Sequence, residues 1–446
     1  MPEESRSPLL VIGLGPVGLV TAAGFAELGF PVVGVDIDED KVRTIREGRS
    51  PYHEPGLEPL IAKNIASGNL QVDTRAESWI PRAEVIFICV GTPPRPDTGE
   101  ADTSAVEAVV DLVIRHHRGY TLLVEKSTVP VETARHIEER LQRANHDHIE
   151  LASNPEFLRE GAAVHDFFHP DRIVIGVRSP RAERILRGLY QKIDAPIVVA
   201  DIETAEIIKY AANTFLATKI SFINMVADLC EKTGADVDRV AEGIGLDKRI
   251  SPYFLRAGIG FGGSCFPKDL KAFLHTGRRY GLDFGLVEAV IRINENRIAV
   301  FLDHLRQVLG GDLRDREIAL LGLSFKPDTD DIREAPSLKL IPQLLEAGAR
   351  LRLHDPVAMP HVQKLFPPGP ALRYAGSVEE AVAGADAIAL VTEWQEYRNM
   401  DLDRIKTLLR HPILVDGRNV FDPEEMKRRG FIYYPMGKGR WIPQGF

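Results

Sequence analysis

Cysteine is scarce in this 446-residue chain: Cys89, Cys230 and Cys265 are the whole set. An odd count without close spacing gives no disulfide framework and no thiolate metal cluster, and it suits a reducing compartment, so each thiol is read individually. An excess of positive charge is also lacking. With 55 basic and 64 acidic residues the formal net charge is −9. A field of that sign repels polyanions, which argues against nucleic acid as a partner while leaving room for local basic pockets that take a small phosphate ligand. No uninterrupted apolar run reaches the roughly 18 residues that span a bilayer. The opening Met-Pro-Glu-Glu carries acids rather than the basic stretch of a secretory signal. The expectation is a cytoplasmic protein with no membrane partner and no metal.

What is present, 44% hydrophobic and 27% charged residues over this length, fits two or three packed domains. Short β-branched runs alternate with helical stretches: Leu9–Ile12, Val32–Asp36, Glu84–Val90, Thr121–Glu125, Ile149–Ser153, Ile173–Val177 and Pro196–Ala200. That alternation predicts a parallel sheet covered by helices. From Ile202 to Glu231 there is neither glycine nor proline, and the periodicity predicts one helix of about 30 residues. Such a rod bridges domains or builds a dimer interface. Strand signals resume at Ile318–Leu323, Arg350–His354, Ala387–Thr392, Ile413–Asp416 and Phe431–Tyr434, entered through Gly310-Gly311-Asp312. The predicted class is α/β, two Rossmann-like doubly wound domains joined by a long central helix. Their bounds are 1–200, 201–310 for the central helical part, 311–437, and a flexible tail from 438 to 446.

Gly13-Leu14-Gly15-Pro16-Val17-Gly18 follows the first apolar run and opens a helical pattern, with Asp36 at the end of the next strand. This is the dinucleotide fingerprint in its required context: glycines for the turn, for approach of pyrophosphate and for helix packing, and an acid for the adenosine ribose. The acid favours NAD over NADP, whose 2′-phosphate it would repel. Lys41 either touches the adenosine end or is an exposed helix lysine. Gly91-Thr92-Pro93 and Lys126-Ser127-Thr128-Val129-Pro130 end the next two strands, where open sheets bind ligands. Thr128 thus holds a cofactor or a water, or caps a helix. Cys89 lies in an apolar strand and reads as a packed thiol.

Gly258-Ile-Gly-Phe-Gly-Gly-Ser-Cys265-Phe-Pro-Lys268-Asp269 concentrates bare backbone amides before a helix that Pro267 opens. A thiol at a helix N-terminus beside a lysine is in the setting that favours a thiolate nucleophile. The alternative is a phosphate cradle containing a packed cysteine. On the long helix the stripe 202, 205, 209, 212, 216, 220, 223, 227 is apolar except for Lys209, and Asn213 lies one turn on. A developing oxyanion would partner that ammonium; otherwise Lys209 snorkels or pairs with Glu206. Asn154-Pro155-Glu156-Phe157-Leu158-Arg159-Glu160-Gly161 offers two carboxylates that position water or substrate, or that simply start a helix. In the second α/β unit, Leu321-Gly322-Leu323-Ser324-Phe325-Lys326 lacks the later glycines, so a whole dinucleotide is not expected there. Lys326 and Arg418 suit a nucleotide diphosphate, or are loop-tip basics.

Taken in order, Lys-Ser-Thr-Val-Pro-Val at 126–131, Asn-Pro-Glu-Phe-Leu-Arg-Glu-Gly at 154–161, Lys-Tyr-Ala-Ala-Asn at 209–213, Gly-Phe-Gly-Gly-Ser-Cys-Phe-Pro-Lys-Asp at 260–269 and Ser-Phe-Lys-Pro-Asp-Thr-Asp-Asp-Ile-Arg-Glu at 324–334 make the chain resemble the UDP-glucose/GDP-mannose dehydrogenase family. The resemblance implies oxidation of a nucleotide-sugar C6 alcohol to the carboxylate with two NAD⁺, without release of the aldehyde. Cys265 would form the thiohemiacetal and thioester, and Lys209 and Asn213 would stabilise the oxyanion. Asp269, Thr128 and Glu156 would order water and move protons. On the cofactor side it assigns Gly13, Gly15, Val17, Gly18, Asp36, Lys41, Gly91, Thr92, Thr128, Glu160, Lys268 and Arg333. To substrate it assigns Glu156, Phe157, Leu158, Lys209, Asn213, Tyr253, Arg256, Phe261, Gly262, Lys326 and Arg418, with Arg249 contributed across a homodimer. His169-Pro170-Asp171-Arg172 favours UDP-glucose over an N-acetylhexosamine, with GDP-mannose as the alternative. Glu132 departs from the family, many members having a small residue after Thr-Val-Pro-Val.

Overall fold

The computed structural model describes residues 7–95 and 99–439. The chain divides into two compact units. The first comprises residues up to Ala212 together with Lys271–Leu282, and the second Asn213–Leu270 together with the chain from Asp283 onward.

The first unit holds an eight-stranded sheet: β1 (Leu9–Ile12), β2 (Val32–Val35), β3 (Leu70–Asp73), β4 (Val85–Ile88), β5 (Thr121–Glu125), β6 (Ile149–Ser153), β7 (Ile173–Val177) and β8 (Ile197–Ala200). Their spatial order is β3-β2-β1-β4-β5-β6-β7-β8. Every residue of β1, β2 and β4 is buried, because helices cover both faces of the sheet. One join departs from the parallel expectation: β6 and β7 run antiparallel. The connection between them holds only a short helix, Ala163–Phe168, whose Phe167 ring packs on Gly24 of the fingerprint helix Pro16–Glu27 instead of forming a full crossover.

The second unit holds six parallel strands, β9 (Glu317–Leu321), β10 (Arg350–His354), β11 (Leu372–Tyr374), β12 (Ala387–Leu390), β13 (Ile413–Asp416) and β14 (Ile432–Pro435), in the order β11-β10-β9-β12-β13-β14. Both sheets therefore reverse strand order once beside their first strand, and the crevice at that reversal is where such sheets take ligands. Strands β3 and β11 were not anticipated. They are short edge strands, Leu-Gln-Val-Asp and Leu-Arg-Tyr, without a continuous apolar run. Conversely, β4, β9 and β12 each stop two residues before the apolar run does. The residues beyond are drawn into loops: Val90 O accepts from Ser127 Oγ, Leu323 N–H donates to Asp355, and Thr392 Oγ1 donates to Ser324 O.

The long helix spans Ile202–Thr233, 32 residues. Gly234, at φ +77°, ends it, and Ala235 N–H returns to Cys230 O. Its buried face is more polar than the stripe suggested, since Glu206, Asn213, Thr214, Ser221 and Asn224 are buried along with Lys209. No helix among the described residues is long and apolar enough to cross a membrane. Just before the expected tail Gly437 N–H donates to Glu231, and within it Lys438 pairs with Asp238, while 440–446 lie outside the described residues.

Glu206 holds the loop after β5. The helix Thr133–Arg143 has no side-chain cap of its own; its N-terminal residue Glu132 sits at φ +82°, and Glu206 accepts from the N–H groups of Glu132 (3.1 Å) and Ala134 (3.3 Å). Burial pushes the Glu206 carboxyl up to about 8, although the Ala134 amide pulls the other way. Glu125, fully buried nearby without a hydrogen-bond partner among the described residues, is pushed up by its own burial and by Glu206. A carboxyl raised in the folded state stabilises most below its unfolded value and loses that contribution as pH climbs through the folded one. Thermal unfolding is therefore expected to shift down by a few degrees between about pH 6 and about pH 9. In Glu206→Gln, which keeps one of the two accepting oxygens and cannot ionise, the shift should be less than about half as large; equal shifts in both proteins would show that Glu206 does not titrate in this range.

Candidate active site

The crevice of the first unit is built by the loop after β1. Gly15 precedes the helix Pro16–Glu27, with Pro16 at its first position. At Gly18 a Cβ would lie 1.8 Å from Gly13 O, so only glycine lets this helix sit so close to the turn, whereas at Gly15 a Cβ would meet no atom within 4 Å. That leaves open space over a helix N-terminus, the geometry a pyrophosphate needs. Val17 is half-buried in the first helical turn. Asp36 accepts from Leu14 N–H (2.8 Å), Asp38 N–H (3.1 Å) and Lys41 Nζ (2.9 Å). Burial works against its charge, but Lys41 and the two amides outweigh it and hold the carboxyl below the usual range. Lys41 is thus the ion-pair partner of Asp36 rather than a solvated helix lysine. An open helix N-terminus with a carboxylate at the end of the neighbouring strand makes a crevice that fits a dinucleotide.

Beside it, Thr92 Oγ1 donates to Thr128 O (2.7 Å), tying the loops after β4 and β5 together, while Gly91 is exposed. Thr128 does not cap the following helix, which starts only at Thr133. Glu132 accepts from Arg279 and Tyr280, so the side chain that departs from the family pattern fastens this loop to the end of the helix Phe266–Arg279. Lys126 is buried and donates to Asn154 Oδ1 (3.1 Å), which also accepts from Tyr190. Cys89 is packed as expected, and burial pushes its thiol up to about 12.

Lys209 is 4% exposed and donates to Glu156 Oε1 (2.9 Å) and Glu156 O (2.6 Å). Burial alone would raise the Glu156 carboxyl; Lys209 and the Leu158 amide reverse this and hold it below the usual range. Lys209 therefore neither snorkels nor pairs with Glu206. Phe157 lies beneath the guanidinium of Arg172 at 3.6 Å, with the Lys209 ammonium 5.2 Å from its ring. Glu160 and Leu158 are half-buried in the same segment.

In the second unit Cys265 immediately precedes the helix Phe266–Arg279 and is partly accessible; Asp269 N–H donates to Cys265 O (2.8 Å). Asp269 is buried and accepts from Asn213 Nδ2 (2.6 Å) and Lys268 Nζ (2.6 Å). The structure thus brings Asn213, Asp269, Lys268 and the start of the Cys265 helix together, and Asn213 stands one turn beyond Lys209 on the long helix. Phe261 and Gly262 lie in the glycine-rich loop, Gly262 packed against Glu334 O.

At the second crevice Lys326 is half-buried with its ammonium 5.5 Å from the Phe325 ring. Arg418 donates to Val391 O, Gly260 O and Phe325 O, so its guanidinium organises backbone. Asp355, the counterpart of Asp36, is taken up by Leu323, Ser324, Val357 and Ala358 N–H groups and the Trp394 indole. No ribose hydroxyl has access to it, which agrees with a ligand smaller than a dinucleotide. Arg249, paired with Asp247, and Tyr253, Arg256 and Arg333 are exposed; Arg333 binds Asp331. The sequence reading named Glu206 only as an alternative partner of Lys209 and missed its hold on the loop amides, and it missed Asn224, Asn294 and Arg297. All four are polar residues on helices whose partners are loop amides or carbonyls far along the chain.

Three family models match: the UDP-glucose/GDP-mannose dehydrogenase family NAD binding domain over residues 8–194, its central domain over 203–296 and its UDP binding domain over 319–423. UDP-glucose 6-dehydrogenase TuaD of Bacillus subtilis is 45% identical over 432 residues, which are 96% of this chain and 93% of that one. UDP-glucose 6-dehydrogenase of Rhizobium meliloti is 44% identical, over 96% and 99%. Among solved structures, a UDP-glucose dehydrogenase from the hyperthermophilic archaeon Pyrobaculum islandicum has a TM-score of 0.89 at 41% identity, covering 97% of this chain and 98% of that one. The motifs, the two crevices and these matches agree, and the chain belongs to the UDP-glucose/GDP-mannose dehydrogenase family.

Proposed function

We propose that the chain is an NAD-dependent UDP-glucose 6-dehydrogenase, oxidising the C6 alcohol of UDP-glucose to the carboxylate of UDP-glucuronate with Cys265 as covalent nucleophile. The observation that carries this reading lies at the start of the helix after Cys265: its Asp269 binds Asn213, and Asn213 shares its helix with a buried lysine. Full-length relatives named as UDP-glucose 6-dehydrogenases supply the substrate.

Gly13–Gly18 and Asp36 would hold NAD, which would supply the hydride acceptor for each of the two oxidations. Cys265 Sγ adds to the C6 aldehyde to give a thiohemiacetal, oxidation leaves a thioester, and water cleaves it to the carboxylate and the free thiol. Lys209 and Asn213 stabilise the negative oxygen that develops at C6. Glu156, held ionised against Lys209, keeps that ammonium charged in a buried place and acts as counter-ion more than as a proton shuttle. Asp269 fixes the Asn213 amide through one oxygen and Lys268 through the other. Thr128 orders water beside the cofactor loop. Lys326 and Arg418, with the loop around Phe261, receive the uridine diphosphate, while Glu160, Lys268 and Arg333 act on the cofactor side.

We infer further that the chain is a homodimer, to which each copy lends Arg249, and that it works in the cytoplasm, where Cys265 stays reduced. On the long helix Phe215, Phe222, Met225 and Leu229 recur at helical spacing, and Phe215 and Leu229 are 66% and 63% exposed. Recovery in an extracellular fraction would count against the location. Leu229→Glu with Phe215→Glu is expected to convert a dimer in sedimentation into monomers; a wild type that sediments as a monomer would remove the inference.

Wild type should yield two NADH per UDP-glucose, with kcat/KM for GDP-mannose and UDP-N-acetylglucosamine lower by at least about tenfold. One NADH per sugar, or none, would overturn the reading. Cys265→Ser should complete the first oxidation but lose steady turnover by about a thousandfold or more, because an ester is cleaved less readily than a thioester. Wild-type turnover in that variant would reject the covalent route. Lys209→Ala should lower kcat by about 10²-fold or more while KM for NAD stays within about threefold; matched losses in both would argue against the oxyanion role.

A further inference from the structure

The glycine-rich loop before Cys265 belongs to neither a helix nor a sheet, so its backbone groups must be satisfied from elsewhere. In the second unit they are met one by one. Gly258 N–H donates to Asn224 Oδ1 (2.8 Å) and Gly258 O accepts from Arg297 Nε (3.1 Å). Ile259 N–H donates to Gly417 O, and Gly260 O accepts from Arg418. Phe261 N–H donates to Asn294 Oδ1 (2.8 Å) while Phe261 O accepts from Asn294 Nδ2 (3.0 Å). Gly263 N–H donates to Arg333 O.

Asn294 differs from the others in holding both polar groups of a single residue. One planar amide reading a donor and an acceptor on either side of the same Cα fixes both peptide planes, hence φ and ψ of Phe261. The fit is close: Gly260 sits at φ +99°, and a Cβ there would be 2.7 Å from Asn294 Oδ1. Asn294 lies on the helix Gly285–Val308, whose Arg297, 0% exposed and paired with Asp228, anchors it one turn further on. From Phe261 the constraint passes to the thiol. Its ring packs edge-on against Phe266, with centroids 5.6 Å apart, and Phe266 is the residue after Cys265 and the first of its helix.

We propose that Asn294 is a positioning residue for the thiol: by gripping Phe261 on both sides it sets where the nucleotide sugar meets Cys265. This rests on the reading of Cys265 as the nucleophile toward UDP-glucose. Asn224 and Arg297 hold the root of the loop at Gly258, whereas Asn294 holds the part that faces the sugar.

The test compares wild type, Asn294→Ala and Asn294→Asp. Steady-state kinetics with UDP-glucose and NAD are paired with the rate at which iodoacetamide alkylates Cys265, followed by mass spectrometry of its peptide; Cys89 and Cys230 are buried. Asn294→Ala should raise KM for UDP-glucose by about tenfold or more, leave KM for NAD within about twofold, and change the alkylation rate by at least about threefold. Asn294→Asp keeps the accepting oxygen but turns a carboxylate toward Phe261 O, and should fall between. If Asn294→Ala does not fold, Asn294→Asp decides the matter by the same split. Wild-type KM for UDP-glucose and a wild-type alkylation rate in a folded variant would overturn the proposal. So would equal rises in both KM values with a lowered Tm, the mark of a merely structural residue. Failure of wild type to oxidise UDP-glucose would defeat the functional reading instead, and the alkylation rates would still report on the Asn294 grip.

Discussion

A buried ammonium is the constraint around which the first unit's site is arranged. Lys209 projects from the covered face of the long helix, where a solitary charge would be strongly disfavoured. It is kept there by one carboxylate and one carbonyl of the same residue, Glu156, which the turn after β6 delivers. That requirement explains why the segment after β6 is irregular: its backbone must bend back to present both oxygens, and the Leu158 amide stabilises the carboxylate in turn. The cation ends up buried and held against a carboxylate.

The two sheets show how the same topology is put to different uses by a few side chains. Both have a glycine turn after the first strand and an acid at the end of the second, Asp36 and Asp355. Around Asp36 the donors are two amides and a lysine, and Gly15 leaves space above the helix. Around Asp355 the donors are four amides, the Ser324 hydroxyl and an indole, and the acid has become part of the wall. Where the first turn has Gly15 and Gly18 the second has Ser324 and Pro327, and the Trp394 indole donates to both Ser324 Oγ and Asp355, so the second turn lacks the bare approach a dinucleotide needs.

The architecture was largely legible because fully buried parallel strands leave continuous apolar runs, as Leu9–Ile12 and Val85–Ile88 do. Strands β3 and β11 escaped because edge strands need bury only one face. The antiparallel join of β6 and β7 escaped because direction is set by the connection between strands, not by the strands. At the site, Cys265, Asp269, Lys209, Asn213 and Asp36 could be singled out because each breaks a local rule: a thiol among glycines, a lysine in an apolar stripe, an acid at a strand end. Glu206, Asn224 and Asn294 break none. A polar residue on a helix looks the same whether it meets solvent or the amide of a loop tens of residues away, and only the fold distinguishes them.

The uninterrupted helix from Ile202 to Thr233 carries an implication for how this sequence tolerates change. Each residue turns the helix by about 100°, so a single insertion between Lys209 and Asn213 would turn the amide away from the ammonium's side of the helix by more than a quarter turn. Point substitutions on its outer face leave that angular alignment intact. Length is therefore under tighter restraint than composition along this stretch.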